Sequence, residues 1–154
     1  MENKCDHTSV GILVWDNNKL LLIERGKFPF GFAPPAGHLD GDNFEESAKR
    51  ELKEEVGLGA KTLKLLLEEK NNNICRREGG TWHHWQVYEA TVSGEIKRSL
   101  SETKKAVWIS KDEIKNLATK TGDYLAGKVD KIAWEKSPGL ETVWYDFFRK
   151  LEII

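Results

Sequence analysis

Three glutamates, Glu51, Glu54 and Glu55, fall on one side of a predicted helix in the segment from Gly37 to Leu58, GHLDGDNFEESAKRELKEEVGL. Positions three and four apart are neighbours on a helix, so Glu51 adjoins both of the others. Each such like-charge contact weakens an isolated helix by about 0.2–0.5 kcal/mol, which a bound cation would offset. Mg2+ prefers oxygen ligands and is typically held by one or two carboxylates together with substrate phosphates. The pattern therefore indicates a magnesium site for a phosphorylated substrate.

The same helix carries an apolar face and residues typical of helix ends. Three apolar residues recur at four-residue spacing: Ala48, Leu52 and Val56. They predict that the helix packs on a core with its carboxylates along the edge of the buried face. Asp42 and Glu45 have the form of a capping box, and Gly57 stands where a left-handed C-cap belongs. A pair of glutamates next to Lys53 is also typical of a solvated helix face, which is the competing interpretation.

The spacing of the whole segment resembles the Nudix box. Gly37 is followed after four residues by Asp42, and after seven more by the run RELKEEVGL, which begins at Arg50. The usual pattern has five residues between the glycine and a glutamate, so the loop before the helix is one residue shorter here. The joint match of about eight specified residues at fixed spacing favours the resemblance over a merely solvated helix.

The resemblance implies a fold, an activity and a set of roles. Nudix proteins are typically hydrolases that split the diphosphate of a nucleoside diphosphate linked to another group, with Mg2+ or Mn2+ held by the glutamates of the box. By resemblance, Glu51, Glu54 and Glu55 are the metal ligands, and Arg50 is a structural partner that orients a glutamate. The implied fold is an α/β/α sandwich with a mixed sheet between helices, covering roughly residues 9–118.

Two residues outside the box are further candidates. Glu102 lies in the polar run at 99–105, and by resemblance to mutator-type Nudix proteins it is an additional ligand or the general base. The preferred base is Glu54 or Glu102 over Glu51. Arg25 resembles the basic residue that many family members place near the diphosphate, and arginine can bind two phosphate oxygens at once. Exposure of Glu102 in a charged loop and a surface salt bridge at Arg25 are the alternatives.

Aromatic residues cluster around the predicted loops of the site. They are Phe28, Phe30, Phe32, Trp82 and Trp85. A nucleotide base could stack on one of them, at about 1–3 kcal/mol for each contact, although core packing is the commoner role of aromatic residues. The predicted substrate-binding residues are Arg25, Phe32 and Trp85.

Cysteines and histidines form a second group of possible ligands. Cys5 and His7 precede the first strand, and Cys75 lies near His83 and His84. Two cysteines and two histidines are sufficient for a tetrahedral Zn2+ site, although these spacings match no zinc finger. A structural zinc at Cys5, His7, Cys75 and His83 is therefore one prediction, and buried thiols with surface imidazoles are the alternative.

The elements that must position these residues alternate between strand and helix patterns. Residues 9–15 and 20–24, divided by the turn sequence DNN, predict a hairpin. Residues 26–37, which contain Pro34-Pro35, predict a shaped loop before the box helix. Further strands are predicted at 62–69, 85–92 and 106–109, helices at 111–118 and 140–151, and a short helix within 119–137. The fold class is mixed α/β.

Length and composition agree with one domain over residues 1–154. The formal net charge is only −1, so no overall field attracts extended nucleic acid or an acidic membrane. No apolar run is long enough to span a bilayer, and the N-terminus lacks the pattern of a signal peptide. We therefore expect a cytoplasmic protein with a small-molecule nucleotide substrate, and a homodimer is left open.

Two other functions compete with hydrolysis. A Nudix-fold module could bind a nucleotide without cleaving it, but such modules usually lose the carboxylates, and Arg50, Glu51, Glu54 and Glu55 are all present. Isomerisation of a prenyl diphosphate on the same fold needs further cysteine and glutamate motifs, which the sequence lacks, and it ranks last.

Overall fold

The computed structural model describes residues 4–154, which form eight strands and four helices. The strands are β1 (Thr8–Leu13), β2 (Trp15–Asp16), β3 (Lys19–Arg25), β4 (Phe32–Ala33), β5 (Ala36–Gly37), β6 (Gly59–Asn71), β7 (His83–Ser93) and β8 (Thr103–Ser110). The helices are α1 (Phe44–Val56), α2 (Lys111–Leu125), α3 (Lys131–Lys136) and α4 (Thr142–Lys150).

The strands form two four-stranded sheets. In the first sheet the order is β5-β1-β7-β6, where β1 and β7 run parallel and the other pairs are antiparallel. In the second sheet, β3 pairs with β8 along one edge and with β2 and β4 along the other, all antiparallel. The pairing of β5 with β1 places the chain just before α1 against the first sheet.

Alternate side chains of the strands build two apolar cores, as the two-residue period of a strand requires. One core contains the apolar face of α1 and the strand residues Val10, Ile12, Leu21, Ile23 and Ala90. The other contains residues of α2 and α4 and the strand residues Leu13, Leu20, Leu22, Trp85 and Val87. Helices therefore cover both faces of the sheets, and the predicted α/β/α sandwich with a mixed sheet is confirmed.

The predicted hairpin is right at its turn and in its second strand, which is β3, and wrong in its first strand. Asn17 and Asn18 have φ of 49° and 61°, as a two-residue type I′ turn requires, and they join β2 to β3. Residues 9–15 are not one strand, because the chain leaves the first sheet after β1 and enters the second at β2. Val14 lies between the sheets, and its carbonyl accepts a hydrogen bond from the N–H of Leu21 (2.9 Å).

The start of α1 differs from the prediction by one residue. The N-cap is Asn43, whose side chain accepts a hydrogen bond from the N–H of Glu46 (2.8 Å). Asp42 and Glu45 do not form the predicted capping box. Asp42 instead pairs with the guanidinium of Arg50, and a charged partner binds a carboxylate more strongly than a backbone amide does.

The other predicted strands and helices are present, most of them longer than expected, but residues 26–37, predicted as a loop, also contain the two-residue strands β4 and β5. Gly57 ends α1 with φ of 77°, the left-handed C-cap that the sequence predicts. Residues 119–137 hold the end of α2 and all of α3, and α4 is the predicted C-terminal helix. Pro34-Pro35 separates β4 from β5. Across residues 4–154, every helix is too short or too polar to cross a membrane.

Candidate active site

The carboxylates of α1 meet the short strand β5. The backbone N–H of Ala36 donates a hydrogen bond to Oε1 of Glu55 (2.7 Å), whose side chain is buried. The Glu51 carboxylate lies against the Cα of Gly37, where a Cβ would overlap it. Glu54 is exposed and lines the same cleft. The strand therefore fixes two of the three carboxylates, and the close approach requires glycine at position 37.

Arg50 ties the helix to the loop that precedes it. Its Nη2 donates hydrogen bonds to the carbonyl oxygens of His38 (2.8 Å) and Leu39 (3.2 Å) and lies 3.5 Å from Oε1 of Glu51. Its Nη1 pairs with Asp42. A planar guanidinium with several donors can hold these acceptors together. This position is the one that the predicted orienting role requires.

Burial and mutual repulsion disfavour the charged forms of the buried carboxyls. Burial raises the pKa of Glu51 to about 7, with a further contribution from Glu54. Burial also raises the pKa of Glu55 to about 8, and the charge of Glu51 adds to this effect. A divalent cation stabilises the ionised forms of carboxyls that are held in this way. The donor set is all oxygen and therefore fits a hard cation such as Mg2+.

An open cleft of about 310 Å3 lies beside these carboxylates. Its acidic lining residues are Asp40, Glu51, Glu54, Glu55, Glu102 and Glu141. Its basic lining residues are Arg25, Arg76 and Arg77. Acidic groups that can hold a cation thus share the cleft with basic groups that can hold phosphate oxygens, which suits a metal-bound phosphorylated substrate.

Arg25 lies in this cleft at the end of β3. Its Nε donates a hydrogen bond to the carbonyl of Pro29 (2.7 Å) and lies 3.8 Å from Oε1 of Glu141. Burial raises the pKa of Glu141, and the charge of Arg25 opposes that rise. No motif in the sequence points to Glu141. Its only local signal is a carboxylate just before a helix, which is also typical of an ordinary helix start.

Glu102 lies in the cleft as well, at its exposed rim. Its side chain is about half exposed, at 49%, and its Oε1 is 3.4 Å from Nζ of Lys27. Glu102 is therefore exposed, as an ordinary glutamate in a charged loop would be, and it also lines the cleft, as a catalytic residue must. Its assignment as a base or ligand stays a prediction.

The aromatic candidates divide between core and cleft. Trp85 is only 3% exposed, and its ring packs edge-on against the rings of Trp144 and Phe147 in the core. Phe32 packs against the same core and is not among the cleft-lining residues. Phe28 lines the cleft and is 43% exposed. Among these candidates, Phe28 has the surface that stacking needs.

Four cysteine and histidine side chains come together at one end of the cleft. Potential ligand atoms of Cys5, His38, Cys75 and His83 all lie within 4.8 Å of one another. Burial lowers the pKa of His38 to about 4 and also lowers the pKa of His83, so both imidazoles are neutral at pH 7. Three members of the predicted set therefore meet.

The prediction of His7 as the fourth member is wrong. Its ring stacks on Trp82 with centroids 4.1 Å apart, and its Nδ1 bonds to the Trp82 carbonyl (3.0 Å). His84, the other candidate, bonds instead to Glu68 through Nε2 (2.7 Å). Residues 38–43 connect β5 to α1, and we call them the box loop. His38 takes the place of His7 because the pairing of β1 with β5 brings this loop next to Cys5. Such a long-range contact cannot be read from the spacing of residues in the sequence.

Two proteins to which this chain is similar are named as a pyrophosphatase and a tetraphosphatase. A human protein, NAD(P)H pyrophosphatase NUDT13, mitochondrial, is 30% identical over 125 residues, which are 73% of this chain. The match covers only 32% of the human protein, so this chain spans about a third of its length. The asymmetrical bis(5'-nucleosyl)-tetraphosphatase of Rattus norvegicus is 30% identical over 118 residues, covering 75% of this chain and 74% of the rat protein.

Solved structures share the fold. The NUDIX hydrolase from Nitrosomonas europaea has a TM-score of 0.60 and 25% identity, covering 79% of this chain and 90% of the other. The MutT NUDIX hydrolase from Burkholderia pseudomallei has a TM-score of 0.59 and 25% identity, covering 70% of this chain and 84% of the other. The family model described as the NUDIX domain matches residues 6–127, most of the chain and the whole of the box helix. The protein is therefore a member of the NUDIX domain family.

Proposed function

We propose that this protein is a magnesium-dependent hydrolase that cleaves the diphosphate linkage of a nucleoside diphosphate derivative. The observation that carries the proposal is the fixed position of Glu51 and Glu55 against β5, in a cleft that also contains Glu54 and Arg25. The named relatives act, by their names, on NAD(P)H and on dinucleoside tetraphosphates, which supports a nucleotide anhydride as the substrate.

Five residues in and beside the cleft have roles in this proposal. Glu51, Glu54 and Glu55 would hold Mg2+, for which Mn2+ can substitute. A bound magnesium ion neutralises the diphosphate oxygens and lowers the pKa of a bound water. Arg50 holds Glu51 in position and is itself held by the box loop. Arg25 binds the oxygens of the phosphate that leaves, because its guanidinium lies in the cleft and arginine binds phosphate through two parallel hydrogen bonds.

The general base is best assigned to Glu54 or Glu102. Glu54 and Glu102 both line the cleft and are exposed, so an attacking water can reach either of them. Glu51 is less suitable, because its carboxylate is packed on Gly37 and bonded to Arg50. The base accepts a proton from the water as its oxygen attacks phosphorus.

Recognition of the nucleoside is the least defined step. Phe28 offers an exposed ring at the cleft for stacking on a base. Trp85 lines the cleft from its place in the core, whereas Phe32 packs against the core and is not among the lining residues. The contact of Phe32 with the substrate stays a prediction. The cytoplasmic location expected from the sequence belongs to this proposal as a prediction.

Turnover of a substrate panel tests the function. Nucleoside triphosphates, nucleotide sugars, dinucleoside polyphosphates, NADH and ADP-ribose are supplied with Mg2+, and the release of nucleotide and phosphate is measured. Glu54→Gln should lose at least about 100-fold in turnover, the usual contribution of a catalytic acid or base. Glu45→Gln is the matched control, because Glu45 is an exposed residue on the same helix that does not line the cleft. If folded protein turns over none of these compounds, a nucleotide-binding module becomes the better account.

A further inference from the structure

We propose that Cys5, His38, Cys75 and His83 bind one Zn2+ ion, separate from the magnesium site, and that this zinc fixes one wall of the cleft. The site differs in chemistry from the box carboxylates, since thiolate and imidazole ligands suit Zn2+ whereas carboxylates suit Mg2+. The inference does not depend on the proposed hydrolysis, because it concerns ligands that the proposed reaction does not use.

The three distances from Sγ of Cys5 to the other ligand atoms are close to those of a tetrahedral zinc site. Zn–S bonds of about 2.3 Å and Zn–N bonds of about 2.0–2.1 Å place two sulfurs about 3.8 Å apart and a sulfur and a nitrogen about 3.6 Å apart. In the structure, Sγ of Cys5 lies 3.9 Å from Sγ of Cys75, 3.6 Å from Nε2 of His38 and 3.4 Å from Nε2 of His83. A single ion can therefore reach all four atoms without a large movement of the backbone.

The groups around the cluster support its members as ligands. His83 is buried, and its Nδ1 lies 3.1 Å from Oδ1 of Asn73, so the ring presents Nε2 to the cluster. A partner of this kind on the second ring nitrogen is the usual feature of a metal-bound histidine. The backbone N–H of His7 donates a hydrogen bond to Sγ of Cys5 (3.3 Å), which holds this sulfur at the cluster.

The loop that contains Cys75 is shaped around its sulfur. Residues 72–82 connect β6 to β7, and we call them the β6–β7 loop. The loop closes on itself through a hydrogen bond from the N–H of Cys75 to the carbonyl of Gly80 (2.9 Å). A Cβ at Gly80 would overlap Sγ of Cys75, so the turn requires glycine there. The carbonyl of Glu78 accepts a hydrogen bond from the N–H of Cys5 (2.8 Å), which joins the two cysteine segments.

Zinc at this position would connect the β6–β7 loop to the Nudix box. The loop supplies Arg76 and Arg77 to the cleft, and Arg77 binds both carboxylate oxygens of Asp40 (2.5 and 3.0 Å) in the box loop. His38 belongs to the same box loop, and its carbonyl accepts a hydrogen bond from Arg50. One ion would therefore hold Arg76 and Arg77, which form one wall of the cleft, in a fixed position relative to α1.

Binding has a defined proton balance. Each of the two thiols loses its proton when its sulfur bonds to the ion, and the two neutral imidazoles bind without losing one. Reduced protein with both thiols protonated therefore releases two protons for each Zn2+ that it binds. A disulfide between Cys5 and Cys75 would prevent binding, so the thiols must be reduced.

Metal binding by the reduced protein tests the proposal without any substrate. The full chain is purified with zinc supplied, dialysed and analysed for metal, and apo protein is titrated with Co2+ to record the visible spectrum. We expect one equivalent of zinc and a tetrahedral cobalt spectrum with thiolate charge-transfer absorption. Cys75→Ser and His38→Ala should lose these signals, whereas His7→Ala, a matched histidine outside the cluster, should keep them. Asn73→Ala should lower the zinc affinity about 10- to 100-fold.

The wild-type protein alone can overturn the proposal. Reduced, folded wild-type protein that retains no zinc after dialysis and shows no thiolate-to-cobalt absorption does not contain this site. Equal zinc binding by wild type and Cys75→Ser would also reject the assigned ligands. Circular dichroism of each variant distinguishes loss of a ligand from loss of the fold.

Discussion

Glu55→Gln should stabilise the magnesium-free protein at alkaline pH, although Glu55 is one of the proposed metal ligands. Burial raises the pKa of Glu55 from 4.5 to about 8, so the folded protein favours the protonated carboxyl. The stability that this protonated form provides is fully present below about pH 4.5 and is lost as the pH rises through about 8. At about 1.4 kcal/mol for each pH unit between the two pKa values, the loss approaches about 5 kcal/mol. Glutamine keeps an oxygen for the N–H of Ala36 and carries no charge.

Urea unfolding in magnesium-free buffer at about pH 5 and about pH 8.5 measures this effect. We expect the free energies of unfolding of Glu55→Gln and wild type to be similar at the lower pH and to differ by about 2–5 kcal/mol at the higher pH. Glu45→Gln, an exposed site on the same helix outside the cleft, is the control and should change little. Added Mg2+ should stabilise wild type more than Glu55→Gln. A difference between Glu55→Gln and wild type that is the same at both pH values would refute the reasoning.

Three further predictions follow from the same contacts. Gly57→Ala should lower the free energy of unfolding by about 1–2 kcal/mol, because residue 57 has φ of 77° and an added Cβ would press on Lys97. Urea unfolding measures this loss, and a free energy equal to that of wild type would contradict the prediction. Gly37→Ala should displace the Glu51 carboxylate and reduce magnesium-dependent turnover at least about tenfold, since a small misplacement of a catalytic group lowers the rate strongly. The circular dichroism spectrum should not change. Full activity of the variant would contradict the packing of Glu51 on Gly37. The affinity for Mg2+, measured by titration calorimetry, should rise between pH 6 and pH 9. The reason is that Mg2+ competes with protons for Glu51 and Glu55, whose pKa values are raised to about 7 and about 8. An affinity that does not change with pH would exclude this competition.

The sequence predicts best where the structure depends on neighbours along the chain. Helix α1 is an example, because its apolar face, its carboxylate edge and its end at Gly57 all follow from the helical period and from local caps. The turn at Asn17 and Asn18 is predicted for the same reason. The strand after the turn is predicted as well, but the strand before it is not, because the exchange of sheets at Val14 depends on partners far away in the chain.

The candidate site shows the same division. The box residues were found because their spacing is local. His38 and Glu141 were not assigned to the site, because only the pairing of β1 with β5 and the bridge between Phe32 and Leu140 bring them there. The burial of Trp85 likewise depends on its contacts with Trp144 and Phe147 of α4, and no local pattern separates this buried ring from the exposed ring of Phe28.

Binding of Mn2+ to the box carboxylates tests the central claim most directly. Electron paramagnetic resonance can count free Mn2+ in titrations of zinc-saturated protein, without knowledge of the substrate. The account predicts binding by wild type and Glu45→Gln, much weaker binding by Glu54→Gln, and displacement of the bound Mn2+ by Mg2+. Equal binding by all three proteins, or no binding by wild type with any nucleotide of the panel present, would contradict the assignment of this helix as the metal site.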